Sequence, residues 1–258
     1  MPAIRSLFSL FVAFVLIPSL PAQQLQTVSP PILRSDPHSL QLAAQSLAAM
    51  KYVAGPLSIR ATGTIHSPDQ EDGTFEVIAQ GPRIYRTITT RDSGTYVYVM
   101  NDGIGSVTLN GKTRHVGGAT VMGMRCPFFP LYSFIGETNR PDVTVEPLRS
   151  SFIAENATYI LRTVTKDLTN PTKPLTSVSE LEVDAKSSLP LKLRTQLVHS
   201  QNIEIVANLE YSFSEYRQEG TLLLPHTIAV TIDGVLNYTV TLTSFQFDVP
   251  TDLTVTLQ

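Results

Sequence analysis

The sequence predicts a mainly β protein with few helices, an α+β fold built on an antiparallel sheet of about ten to twelve strands. From residue 57 onwards, short runs alternate between apolar and polar residues, which is the period of a half-buried strand. Asn110-Gly111 and Asp233-Gly234 divide such runs, and these pairs favour two-residue hairpin turns because both central positions take positive φ. Charged residues make up only 16% of the chain, and Thr, which suits a pleated surface, often stands in their place.

Residues 1–22 have the order of a secretory signal peptide. Arg5 is the only charged residue, an apolar run over residues 7–17 follows it, and small residues and prolines come last. The run is shorter than the roughly 20 apolar residues that a membrane-spanning helix needs, and Pro18 ends it. We therefore expect cleavage after Ala22 and an exported, soluble protein, periplasmic or secreted.

The mature chain is expected to begin with a mobile polar lead over residues 23–35, followed by one domain over residues 36–258. Asp36-Pro37 predicts a helix start, because Asp caps the first turn and Pro is favoured at the first helical position. Five apolar residues then recur at helical spacing and define one face: Leu40, Ala43, Ala44, Leu47 and Met50. The helix is expected to end at about Met50.

After Pro56 the period changes from helix to strand. The runs that predict strands are residues 57–64, 74–80, 83–91, 96–100, 106–109, 112–116, 143–145, 158–166, 177–184, 191–198, 203–213, 226–232 and 236–247. Residues 117–136 interrupt them with an apolar stretch that is rich in Gly, Met and Phe and charged only at Arg125. A short helix is expected to start at Pro130 within this stretch, because Pro suits a first helical turn.

The chain carries no pattern that points to catalysis or to a bound metal or cofactor. The five His residues are dispersed, so no two have metal-ligand spacing on one element. Gly103-Ile-Gly105-Ser106 does not complete a nucleophile elbow, because Thr108 occupies the last glycine position. Scattered basic residues and a net charge of −3 argue against nucleic-acid binding. We expect a protein that is not an enzyme and that has no cofactor, metal or nucleic-acid partner.

Two sets of side chains allow both a chemical and a structural interpretation. Cys126 is the only cysteine and lies among apolar residues, so a buried, inert thiol is favoured over a reactive one. Glu180 and Glu182 share a strand face, and Glu204 and Glu210 follow further on. Carboxylate pairs can support acid–base chemistry, but solvated charges on an outer sheet face are favoured here.

The order of elements resembles the LolA/LolB-like periplasmic lipoprotein carriers. The matching motifs are Gly73-x6-Gln80-Gly-Pro82 followed by Ile84-Tyr-Arg, the turns at Asn101-Asp-Gly103 and Asn110-Gly-Lys112, Pro127-Phe-x-x-Leu131, and Phe245-x-Phe247-x-x-Pro250-x-x-Leu253-Thr-Val255. The resemblance covers nearly all of the mature chain. It implies a curved antiparallel sheet in the form of an unclosed barrel, covered by the N-terminal helix and by a short mid-chain helical lid.

Two departures from this family stand out. LolA-type carriers have a basic residue just before the Pro that joins the second and third strands, where it holds the lid, and Gly81 occupies that position here. The chain also has no Trp, although carriers of this family commonly use one in the sheet. The lid latch of the family therefore cannot be assigned to this chain.

A concave sheet with an apolar inner face cannot be filled by its own side chains once it spans about ten strands. The remaining volume favours an acyl chain, at about 0.8 kcal/mol for each buried CH₂. The candidate cavity residues are Ile59, Phe75, Val77, Ile84 and Ile88 in the sheet and Phe128, Phe129, Leu131 and Phe134 in the lid. For each of them, the competing interpretation is an ordinary core position.

The leading hypothesis is an exported, periplasmic binder or carrier of lipid or lipoprotein acyl chains, monomeric and non-catalytic, with an envelope membrane protein as a further partner. The alternative is an envelope-associated structural or protein-interaction module with a filled core. An integral outer-membrane barrel is disfavoured by the polar face at Thr87 and Thr89 and by the helix that precedes the sheet. A hydrolase lacks a nucleophile and base that can be named.

Overall fold

The structure, a computed structural model, describes residues 35–52, 58–101, 104–116, 125–133, 138, 142–147, 149–151, 157–166, 176–198 and 206–250. The predicted signal peptide, the lead up to residue 34, the turn residues 102–103, Phe134 and the last part of the C-terminal motif at residues 251–258 lie outside these ranges.

The described elements are two helices and fourteen strands. The helices are α1 (Pro37–Ala49) and α2 (Pro130–Ser133). The strands are β1 (Ile59–Ser67), β2 (Gln70–Ala79), β3 (Ile84–Arg91), β4 (Gly94–Asn101), β5 (Ile104–Leu109), β6 (Lys112–Val116), β7 (Val143–Val145), β8 (Arg149–Ser151), β9 (Thr158–Lys166), β10 (Thr176–Asp184), β11 (Pro190–Val198), β12 (Val206–Glu219), β13 (Leu222–Ile232) and β14 (Val235–Phe247).

All fourteen strands belong to one sheet, in the order β6-β5-β4-β3-β2-β1-β14-β13-β12-β11-β10-β9-β7, with β8 paired to β9 beside this path. Adjacent strands are antiparallel, and β1 pairs with β14, which joins the first half of the sheet to the last. Among the described residues, no pairing joins β6 to β7, so the sheet curves without closing into a barrel. The prediction of an unclosed antiparallel sheet with two short helical elements is confirmed. β8 is a three-residue strand that no alternating run in the sequence indicates.

The Gly-containing turns form where the sequence predicts them. Asn110 and Gly111 have φ values of 46° and 81°, and Asp233 and Gly234 have values of 48° and 82°. Positive φ at both central positions is the condition for a two-residue turn that matches strand twist. These turns therefore set the β5–β6 and β13–β14 hairpins.

Helix α1 starts as its sequence predicts, and its buried face overlaps the predicted one without matching it fully. The Asp36 carboxylate accepts a hydrogen bond from the Ser39 amide at 2.8 Å, and this bond lowers the pKa of Asp36. The buried residues of the helix are Ser39, Ala43 and Ser46, and Met50 is fully buried just after it. Ala44 is exposed, so the predicted Leu40–Ala44 side is rotated towards solvent. Small serines on the buried face allow the helix backbone to lie close to the structure beneath it.

Backbone hydrogen bonds hold both ends of α1 against the sheet. The Asp36 amide donates to the Val145 carbonyl of β7 at 2.9 Å, and the Leu223 amide of β13 donates to the Met50 carbonyl at 3.0 Å. A helix of this length spans about 20 Å. α1 therefore extends from β7 to β13, over the half of the sheet that contains β9–β12.

Candidate functional site

The inner face of the sheet carries a cavity of about 590 Å³, which we call the hollow. Aromatic side chains line it: Phe75, Tyr85, Tyr96, Tyr98, Phe128, Tyr211 and Tyr238. Aliphatic side chains in the lining are Ile65, Leu109, Leu197, Leu209, Val230 and Ile232. Polar side chains in the lining are Ser67, Gln70, Thr87, Thr89, Arg91, Ser93 and Asn237. This volume lies within the range of roughly 300–1,000 Å³ that is typical of small-molecule sites.

The two ends of the hollow differ in character. Pro127 and Phe128 lie at one end, which is apolar. The other end reaches the β1–β2 and β3–β4 turns, where Ser67, Arg91 and Ser93 form a polar rim. A molecule with an apolar body and a polar end matches this arrangement.

Aromatic rings make a continuous wall at the apolar end. The Phe128 ring lies 4.9 Å from the ring of Phe75 and 6.2 Å from the ring of Tyr211, with the second pair edge to face. Tyr85 and Tyr98 on neighbouring strands have ring centroids 5.7 Å apart. Such tilted and edge-to-face pairs are favourable geometries for aromatic contacts, so Phe128 joins the two halves of the sheet across the hollow.

Residues 125–133, which include α2, form the lid segment. The Cys126 amide donates to the Pro82 carbonyl at 2.8 Å, which joins the segment to the β2–β3 turn. The buried Arg125 guanidinium donates to Ser179 Oγ at 3.0 Å and to Thr165 Oγ1, on β10 and β9. The Cys126–Pro82 hydrogen bond thus joins the lid segment to the β2–β3 turn, next to Gly81. Carriers of the resembled family have a basic side chain at the position of Gly81. Cys126 is fully buried, and burial raises its pKa to about 12, in agreement with an inert thiol.

The predicted cavity residues separate into four groups. Phe75 and Phe128 line the hollow. Val77 and Ile59 face the same side of the sheet but are fully buried in the core, as are Phe129 and, at 1% exposure, Leu131. Ile84 and Ile88 do not line the hollow, so the prediction is wrong for these two residues. Phe134 lies outside the described residues.

Ile84 and Ile88 lie on the outer face of the sheet. Cross-strand partners share a face, and the β2–β3 register pairs Glu76 with Ile88 and Val77 with Thr87. Thr87 therefore faces inward with Val77, and both isoleucines face outward with Glu76. The prediction that they line the cavity fails because the more apolar face of β3 is the outer one.

Sequence reasoning missed the tyrosines of the hollow. Tyr85 and Tyr98 on β3 and β4, Tyr211 on β12 and Tyr238 on β14 all face inward. The alternation Tyr96-x-Tyr98-x-Met100 contains a signal, because these residues share one strand face. Hydrophobicity alone does not reveal this face, because Tyr is less apolar than Val97 and Val99, which alternate with these residues.

The acidic residues of β10 and β12 belong to an outer-face charge network. Arg194 bridges Glu182 and Glu210 at 2.7 Å each, and Lys192 contacts Glu210 at 2.9 Å. Burial alone would raise the pKa of Glu210, but its hydrogen bonds to Lys192 and Arg194 hold that pKa below its ordinary value. In the described ranges, no three His, Cys, Asp or Glu side chains are grouped as a metal site would require.

Burial of the tyrosines predicts a loss of stability in alkali. Burial raises the pKa values of Tyr85, Tyr98, Tyr211, Tyr216 and Tyr238. Above about pH 10 the unfolded chain loses its phenolic protons while the folded chain keeps them, so stability falls as pH rises. We expect a melting temperature that is nearly constant from about pH 7 to 9 and falls steeply above about pH 10. Phenolate absorbance that titrates near pH 10 for every tyrosine of the native protein would contradict this prediction.

Comparisons with known proteins agree with the architecture described above. No family model matches the sequence, and no curated protein matches it significantly. Among solved structures, a LolA superfamily protein from Nitrosomonas europaea superposes with a TM-score of 0.50 at 13% identity, over 81% of this chain and 94% of that one. A DUF1329 family protein from Desulfovibrio piger gives a TM-score of 0.49 at 11% identity, over 83% and 94% of the two chains. The chain thus has a remote LolA-like resemblance in its fold. Within the part of the chain that the structure describes, no helix is both long and apolar enough to cross a membrane.

Proposed function

We propose that this protein is an exported, non-catalytic binder or carrier of lipid or lipoprotein acyl chains, which occupy the hollow. The observation that carries the proposal is a cavity of about 590 Å³ on the inner face, apolar at the end near Phe128 and polar at the end near Arg91. The signal-peptide pattern of residues 1–22 supports export, and we infer that residues 36–258 form the functional domain.

The physical basis is the transfer of an acyl chain from water to an aromatic and aliphatic surface. Each CH₂ buried contributes about 0.8 kcal/mol, so several methylenes in contact with the wall suffice for measurable binding. Aromatic contacts hold the tyrosine rings in place. Tyr85 and Tyr98 contact each other within the sheet, and Tyr211 contacts Phe128 of the lid segment. An organised wall lowers the entropic cost of binding.

The fold resemblance supports the same class of function. The Nitrosomonas europaea protein is a LolA superfamily protein, and the sequence motifs described above resemble the LolA/LolB-like family of lipoprotein carriers. We propose that an envelope membrane protein loads or unloads the cargo and that the protein acts as a monomer.

The alternative function, a scaffold or interaction module with a filled core, is favoured by one observation. Beneath α1, the inner-face residues Leu161, Leu181 and Leu193 are all at most 3% exposed, so this half of the sheet is packed by the chain itself. The two functions differ only in whether the hollow binds a ligand.

A binding titration tests the proposed function. The purified mature protein is titrated with long-chain fluorescent acyl probes, one with an anionic end and one with an uncharged end. We expect saturable fluorescence enhancement with at least one probe, and displacement by unlabelled lipid. No uptake of either probe by a folded protein would leave the scaffold function as the better account.

A further inference from the structure

The polar end of the hollow carries Arg91, whose guanidinium contacts neutral side chains and no carboxylate in the part of the chain that the structure describes. Arg91 lies on β3, lines the hollow and is half-buried. Its guanidinium donates to Ser67 Oγ at 2.7 Å and to Gln70 Oε1, both neutral groups. Among the described residues it forms no ion pair with a carboxylate, and its Nε is buried without a hydrogen-bond partner. Within the described ranges, no direct ion pair therefore neutralises the charge of Arg91.

The position of Arg91 is fixed by the strands around it. A Cβ at Gly73 would lie 2.8 Å from Arg91 Cγ and 2.4 Å from the Thr90 carbonyl oxygen. Only glycine at residue 73 leaves room for the Arg91 stem against β2. With its stem packed there and its head bonded to Ser67, the guanidinium is held at the rim of the hollow.

Two further cations lie on the same face of the sheet, on β6, which is three strands away from β3. Lys112 pairs with Leu109, and Arg114 pairs with Val107 in the β5–β6 register. Leu109 lines the hollow and pairs with Tyr96 of β4, so this row of residues faces inward. Lys112 and Arg114 are exposed and extend the positive charge along the β6 edge.

Two acidic side chains on β2 have other contacts. Glu71 accepts a hydrogen bond from the Ser93 amide at 3.1 Å, and Asp72 contacts His66. Both lie at the start of β2, and among the described residues neither forms an ion pair with Arg91. Asp69 and Asp92, in the β1–β2 and β3–β4 turns, are exposed, and among the described residues neither forms an ion pair with Arg91. The mouth of the hollow therefore combines an apolar interior with a guanidinium that no described carboxylate pairs with.

We propose that the hollow selects acyl amphiphiles whose polar end carries an anionic group, a carboxylate or a phosphate, and that Arg91 binds that group. This inference rests on the proposed function, because it requires the acyl chain to lie in the hollow. Lys112 and Arg114 attract the anion towards the mouth, and the Arg91 guanidinium forms charge-assisted hydrogen bonds with it.

Probes with matched chains test this selectivity. A fatty acid, a lysophosphatidic acid and a monoacylglycerol with the same acyl chain compete for a fluorescent acyl probe on the wild-type protein. We expect the two anionic lipids to bind roughly tenfold more tightly than the uncharged one, as the gain from a hydrogen bond to a charged group implies. The ratio between carboxylate and phosphate shows which anion the rim prefers.

Substitutions at residue 91 then assign the selectivity to a side chain. Arg91→Gln is expected to weaken binding of the anionic lipids by roughly tenfold and to leave monoacylglycerol binding within about twofold. Arg91→Lys keeps the charge and is expected to retain most of the preference. Arg217→Gln is the control, since Arg217 is exposed and paired with Glu215 away from the hollow.

The outcomes separate this inference from the proposed function. Equal binding of charged and uncharged lipids by wild type, or equal losses for all lipids in Arg91→Gln, overturns the anion preference while the carrier function stands. Binding of no lipid overturns both. If Arg91→Gln does not fold, salt titration of the wild type decides: the affinity for anionic lipids must fall with ionic strength, and an unchanged affinity refutes the inference.

Discussion

Replacement of Thr87 by Trp is expected to abolish acyl-probe binding while the protein remains folded. Thr87 lines the hollow, where it pairs with Val77 on one side and Tyr98 on the other. An indole at this position occupies the space that an acyl chain would fill, and loss of contact with several methylenes weakens binding on the order of 100-fold. Because Thr87 is half-buried beside an open volume, the larger side chain does not need to displace the core.

The matched control is Thr90→Trp, three residues along the same strand. Thr90 is exposed and on the outer face, where it pairs with Thr74 and Thr95. Probe titration and thermal melting of both variants give the comparison. Wild-type affinity in Thr87→Trp would show that the ligand binds elsewhere, and equal loss in both variants would show that β3 tolerates no Trp on either face.

Replacement of Phe129 by Ala is expected to cost about 3–5 kcal/mol in the free energy of unfolding, the usual range for a buried phenylalanine. Phe129 is fully buried and meets the Tyr132 ring edge to face at 6.2 Å. It does not line the hollow, so its truncation leaves a void in the core instead of enlarging the ligand site.

Urea unfolding measures this effect, with Leu109→Ala as the control. Leu109 is 52% exposed, and substitution at such a position changes stability by no more than about 0.5 kcal/mol. A loss below about 1 kcal/mol for Phe129→Ala would mean that the lid segment is not anchored by this ring. Thr87 variants therefore report on binding, and Phe129 variants report on how the lid segment is held.

Local signals in the sequence predict the framework because each has a short-range cause. The Asp36 cap, the Asn110-Gly111 turn and the Asp233-Gly234 turn depend on a few neighbouring atoms, and the structure contains all three. Strand alternation likewise follows from the two-residue period of the pleat. These features predict an antiparallel sheet with two helical elements, and the resemblance to the LolA-like carriers implied that the sheet is unclosed and covered by the helices.

Which face of a strand points inward depends on partners that are distant in the sequence. In β3 the alternation separates Ile84 and Ile88 from Tyr85 and Thr87, but only the register with β2 decides between the two sets. Hydrophobicity favours the isoleucines, whereas the wall of the hollow uses Tyr and Thr. A pattern of apolar residues therefore identifies a packed core more readily than a ligand site whose lining includes Tyr and Thr.

The burial of the two serines of α1 could not be predicted for a similar reason, although Ala43 and Met50 of the predicted face are buried. Ser39 and Ser46 are buried because the helix is tied to β7 and β13 at its two ends, which fixes its rotation. The periodicity of Leu40 and Ala44 carries no information about these long-range backbone bonds. The sequence also did not indicate a role for Arg91, because its hydrogen-bond partners Ser67 and Gln70 belong to the β1–β2 hairpin and Arg91 lies at the end of β3.

Native mass spectrometry of the mature protein, purified without detergent, tests most directly whether the hollow holds an amphiphile. The account predicts a population heavier than the polypeptide by the mass of an acyl lipid, which solvent extraction releases and Thr87→Trp lacks. A single species at the polypeptide mass that takes up no added lipid would contradict it.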